Sequence, residues 1–75
     1  MTREEAIAAA RLTAEWEGWR WYEPVEATRR KPLFSRHRYW DVRTNCRASR
    51  CDLRIVIDDT TGSVREKRYF PRSLV

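Results

Sequence analysis

Two cysteines, a single histidine, a pair of adjacent aspartates and fourteen arginines are the residues of this chain with chemistry to offer. Cys46 and Cys51 bracket Arg47-Ala48-Ser49-Arg50. At that separation two readings are open. If the flanking segments are opposed strands, the thiols face each other closely enough for a cross-strand disulfide. In a reducing compartment they stay as two small, partly buried apolar residues. A zinc site with His37 and Asp52 lacks the four-ligand spacing of structural zinc motifs, so no metal is expected. His37 sits between Arg36 and Arg38, whose charges disfavour a charged imidazole, and no partnered Ser or Cys nucleophile is evident. Asp58 and Asp59 could suggest an acid/base pair. Neighbouring strand-end residues point to different faces, however, and turn capping explains both. With Gly18 and Gly62 as the only glycines, no Gly-rich phosphate loop can form. These residues point away from an enzyme and from any cofactor.

The arginines are unevenly placed. Of the formal net charge of +5, residues 1–28 hold three Arg against six Glu, a net of −3, and residues 29–75 hold the remaining +8. Arg suits forked contacts with carboxylates and phosphates. Arg43, Arg54, Arg65 and Lys67 interleave with Tyr39 and Tyr69 as a candidate basic-aromatic surface. Such a surface takes an acidic protein partner, or alternatively nucleic acid through phosphate contacts and base stacking. A structural reading competes. Asp41 and Asp52 stand diagonal to Arg43 and Arg54 and would convert the patch into an ion-pair lattice, while Arg65, Lys67 and Arg68 guard an edge strand. Because both point away from the apolar face, reversing Arg43 and Arg54 to Glu is expected to leave the fold intact. Leu33 and Phe34, inside the basic stretch 29–38, are either a satellite core or a protruding partner anchor.

The elements that position these residues follow from periodicity. Placing Cys46 opposite Cys51 sets Thr44 against Leu53, Val42 against Ile55 and Trp40 against Ile57. One apolar face results, and one charged face bearing Tyr39, Asp41, Arg43, Asn45, Asp52, Arg54, Val56 and Asp58. A sheet with that contrast is covered on one side. Thr2 and Glu5 form a capping box, and a helix is predicted over 3–17, ended by Gly18. Its broad face joins Ala6, Ile7, Ala9, Ala10, Thr13, Ala14 and Trp16. Strands are predicted over 19–28, 38–46, 51–58 and 64–70. Pro24 marks the first as an edge, and poor alternation marks the last as an outer strand open to a bulge. The fold class is α+β, with one N-terminal helix on one face of a four-stranded antiparallel meander, in a single domain spanning 1–75.

The TREEAIAAA helix, the YWDV strand and the closing IVIDDTTGSV element (residues 55–64) resemble PepSY-type bacterial domains, whose outline is cystatin-like. Immunity proteins with a nuclear-transport-factor-like fold share a similar Trp-x-Val strand and Asp-x-x-Thr-Gly-x-Val hairpin. PepSY-type domains are typically extracytoplasmic and are proposed to restrain peptidases, and they bring no catalytic residues to carry over. The resemblance implies a non-catalytic protein-binding or inhibitory module. The charged N-terminus MTREEAIAAARL lacks an apolar signal region and no stretch approaches a membrane span, which makes the cytoplasm the expected location. Protected sheet edges make a monomer the expected state.

Overall fold

The computed structural model describes residues 1–33, 36–47 and 50–70. The chain forms α1 (Arg3–Glu17), β1 (Val25–Arg30), β2 (Tyr39–Thr44), β3 (Leu53–Asp58) and β4 (Val64–Tyr69). The strands make one antiparallel sheet in the order β1-β2-β3-β4, with α1 lying over β1, β2 and β3. This is the two-layer α+β meander that the alternation predicts.

At its start the helix satisfies its own orphan amides. Thr2 Oγ1 accepts from the Glu5 amide at 3.1 Å, and the Glu5 carboxylate accepts from the Thr2 amide at 2.8 Å. At its end Gly18 takes a left-handed conformation, φ 74°, and its amide bonds back to the last turn. Ala6, Ala10 and Ala14 form the stripe buried on the sheet. Three small side chains at four-residue spacing let the helix lie close over the apolar face.

That face is the deduced one. Trp40 pairs with Ile57, Val42 with Ile55 and Thr44 with Leu53, and all six are buried. Beyond Thr44 the ladder stops, because Asn45 turns into a left-handed conformation with φ 47°. Both central strands are therefore shorter than predicted. The Cys46–Cys51 pair closes the hairpin beyond them as a disulfide, with Cα atoms 3.9 Å apart.

Three expectations change. The first strand begins at Val25, not Trp19, because its partner leaves the sheet at Asn45, whose amide bonds to the Pro24 carbonyl at 2.8 Å. Trp19 and Trp21 still pack on the core, together with Val25 and Ala27. The same strand runs on to Arg30, inside the predicted loop. Alternation persists there, but arginines occupy both faces: Arg29 reaches Asp59 on one side and Arg30 reaches Asp41 on the other. Third, Trp16 is not in the core. It is 88 % exposed, standing about 120° around the helix from Ala10.

Candidate functional site

The outer face of the sheet carries a row of charge crossing all four strands. Period-two geometry places Arg30 of β1, Asp41 and Arg43 of β2, Arg54 of β3, and Glu66 and Arg68 of β4 on this side. Asp41 is its centre. Although it faces away from the helix, its side chain is only 2 % exposed, roofed by three arginines. Arg43 donates to both carboxylate oxygens, Nε to Oδ1 at 3.2 Å and Nη2 to Oδ2 at 3.0 Å. Arg54 repeats the fork at 3.2 and 3.4 Å, and Arg30 Nε lies 3.6 Å away. The row continues as Arg54 Nη1 meets Glu66 at 3.5 Å and Arg68 Nε meets the same carboxylate at 2.7 Å.

Burial pushes the Asp41 carboxyl up, but hydrogen bonds from Arg43 and Arg54, followed by their charges, outweigh it and leave its pKa below the ordinary value. Arg43 and Arg54 are directly opposed on neighbouring strands, an unfavourable arrangement for like charges alone. The shared carboxylate removes that penalty. Reversing both to Glu would surround a buried carboxylate with two more, so the expectation that the fold tolerates this double reversal does not hold. Asp52, the other acid assigned to the lattice, is buried and accepts from Asn45 Nδ2 at 3.0 Å.

A bulge divides the predicted surface. Ile57 pairs with Val64 but Val56 pairs with Glu66, so Arg65 is the extra residue and the phase of β4 reverses beyond it. Lys67 and Tyr69 therefore belong to the helix side, opposite Ile55 and Leu53. Lys67 Nζ meets Glu17 at 2.6 Å, and Tyr69 stacks on Trp19 with centroids 5.4 Å apart. Neither joins Arg43 and Arg54. Tyr39 does remain on the outer face, paired with Arg30 and half-buried. In their place stand Arg30 and Arg68, 52 % and 63 % exposed. The signal for Arg30 was its two-residue offset from Thr28 along an edge strand. For Arg68 it was the failed alternation of VREKRY.

Beside the row, the 31–38 connection leaves β1 directly after Arg30. Leu33 is 94 % exposed there, with Lys31, Arg36 and Arg38 also exposed. It is not a satellite core. Phe34, the other predicted anchor, lies outside the described residues.

The remaining chemical candidates are occupied by structure. Asp58 accepts from the amides of Thr60 and Thr61 at 2.8 and 3.0 Å, and bonds from Thr61 and then Thr60 lower its pKa. Asp59 accepts from Trp40 Nε1 at 2.7 Å, the main cause of its lowered pKa, and also meets Arg29 and the amino terminus. The two acids thus serve separate networks. His37 is exposed in the connecting loop. Among the described residues no three of His, Cys, Asp and Glu gather as a metal-binding group, and no helix is long and apolar enough to cross a membrane.

Compared with known proteins, the chain matches no family model, no curated protein and no solved structure.

Proposed function

We propose that this chain is a small non-catalytic protein-binding or inhibitory module, PepSY-like in layout, that recognises an acidic partner through the outer sheet face and the adjoining basic loop. The observation that carries the reading is the continuity between a preorganised arginine row and an exposed Leu33 at its β1 end. Asp41 holds the guanidinium groups in place while leaving part of each in solvent, so little side-chain freedom is lost when a carboxylate arrives. Leu33 supplies an apolar contact flanked by cations, the composition of an interface anchor. Glu66 within the row, and Glu26 opposite Arg43, favour a mixed protein surface over a run of phosphates.

Recovery of partners on the immobilised chain, after nuclease treatment, tests this. A single protein should be retained at stoichiometric level, and both Arg30→Ala/Arg68→Ala and Leu33→Ser should release it. These substitutions spare the two forked pairs on Asp41. Retention of nucleic acid instead, with a steep loss of binding as salt rises, would replace this reading with the nucleic-acid one.

A further inference from the structure

The two edges of the sheet are guarded unequally. β4 carries a bulge at Arg65 and cations on both of its faces. The expected monomer rests on Pro24 guarding the first strand as well. Pro24 precedes that strand, however, and Val25–Arg30 keeps an unbroken register with β2 and holds no proline. One bond fixes which way its backbone groups point. The Asn45 amide donates to the Pro24 carbonyl at 2.8 Å, and these two residues extend the β1–β2 register. By alternation Glu26, Thr28 and Arg30 turn their N–H and C=O groups towards β2, and Val25, Ala27 and Arg29 turn theirs outward. Among the described residues no hydrogen bond reaches these outward groups. Residues 71–75 start beyond β4, at the other edge. Crossing to β1 takes about 14 Å at ordinary strand spacing, and that segment reaches about 18 Å when fully extended, too little to line the strand. We infer that β1 pairs with β1 of a second copy of this chain, antiparallel about a two-fold axis at Thr28, joining the two sheets into one.

The sequence of β1 selects that occupant, because it complements itself. A two-fold contact presents the same surface twice. An axis normal to the sheet keeps both helices on one side and sets outer-face residues opposite outer-face residues. Centred on Thr28, it places Glu26 of each copy opposite the second copy's Arg30 and Thr28 opposite itself. Ala27 then exchanges backbone hydrogen bonds with the second copy's Arg29, both through outward-pointing groups. Glu26 is exposed and joins no salt bridge among the described residues. Arg30 is 52 % exposed, its Nε 3.6 Å from Asp41. The charges that choose the partner thus lie within the contact. Neighbouring registers lose them. Centred on Ala27, Glu26 faces Thr28 and no ion pair forms. Centred on Arg29, the two Arg29 side chains oppose each other, and centred on Glu26 the two carboxylates do. Charge on this edge therefore blocks the wrong registers and leaves one open.

Sedimentation equilibrium on the native chain, from micromolar to near-millimolar concentration, tests the proposal. The mass should rise from 9.1 kDa towards twice that value. Glu26→Arg should weaken the association by more than about tenfold, since it sets like charges across the axis twice. At concentrations where the chain is monomeric its melt should stay in place, because Glu26 is exposed there. Cysteine pairing reads the register directly. Thr28→Cys should form a covalent dimer on mild oxidation, because opposed strand residues stand about 5 Å apart at Cβ. Glu26→Cys should not, as its counterpart lies about 13 Å along the strand. A mass of 9.1 kDa at every concentration would overturn the proposal, whether or not the outer face binds an acidic partner. A dimer that Glu26→Arg leaves intact, or that Glu26→Cys cross-links as readily as Thr28→Cys, would overturn it equally.

Discussion

On the helix side of the sheet, Leu53, Ile55 and Ile57 are fully buried beneath an alanine stripe. On the opposite side Asp41 is almost as well buried, beneath three arginines. The first arrangement removes apolar surface from water, which is favourable without regard to direction. The second places one carboxylate in a setting that is tolerable only because forked partners satisfy both of its oxygens. A chain of 75 residues has too little apolar material to cover a sheet on both sides, and here aliphatic stems and guanidinium groups of arginine make the second cover. The two faces should therefore respond to different perturbations.

The largest effect belongs to the apolar side. Leu53→Asp puts an unpaired carboxylate among Val42, Ile55 and the helix, at a cost of at least about 4 kcal/mol. A domain of this size has roughly 4–11 kcal/mol in total, so circular dichroism should show a largely unfolded chain or a strongly lowered melt. A native-like melt would place Leu53 outside the core and invert the sheet. Next comes the charged side. Asp41→Ala leaves three cations with no common partner and should cost about 2 kcal/mol, less than a fully dry pair because the arginines are a third to a half exposed. That loss should shrink as salt is raised, whereas the Leu53 effect should not.

Acid acts on the buried and hydrogen-bonded carboxylates rather than on the apolar packing. The carboxyl groups of Asp41, Asp58 and Asp59 are all lowered in the folded chain. A lowered folded pKa gives stability that is complete above the unfolded value of about 4 and is lost as pH falls through the lower folded value. Urea midpoints should thus hold steady from neutrality to about pH 5 and decline below pH 4. Asp41→Asn should flatten part of that decline, and an unchanged acid profile would detach Asp41 from it. A comparable loss, about 2 kcal/mol, is expected from replacing Cys46 and Cys51 with Ser, since the loop they close is short. The smallest effect is Arg68→Gln. It touches only an exposed pair with Glu66, and the melt should move by less than about 0.5 kcal/mol.

The central hairpin was readable from sequence because its two strands alternate around the cysteine loop, with Trp40, Val42, Leu53, Ile55 and Ile57 on one face and Asp41, Arg43, Arg54 and Asp58 on the other, Tyr39 and Val56 being the exceptions on the charged side. Its register, its buried face and the opposition of Arg43 to Arg54 all follow from that alternation. The last strand was not readable in the same way. A bulge adds one residue at Arg65, and with charges on both sides of VREKRY no hydropathy signal marks where the phase changes. Lys67 and Tyr69 were therefore assigned to the wrong face, and Arg68 was read only as an edge guard. β1 was obscured likewise, because Arg29 and Arg30 continue the pleat with cations pointing both ways. Trp16 falls at the margin of the helix's apolar arc. Whether such a residue turns inward depends on which three alanines meet the sheet, and that is decided by packing rather than by period.

The covalent link at the end of the hairpin has a consequence for cleavage. Arg47 and Arg50 are both exposed, just inside Cys46 and Cys51, and each is a substrate side chain for a trypsin-like protease. A cut after either one opens the loop but does not divide the molecule, since the disulfide bridges the broken backbone and the ladder from Thr44 to Leu53 lies beyond it. The nicked protein would migrate as one species until a reductant is added and then part into two pieces. A single cut beside either arginine would thus leave the two halves of the domain covalently joined.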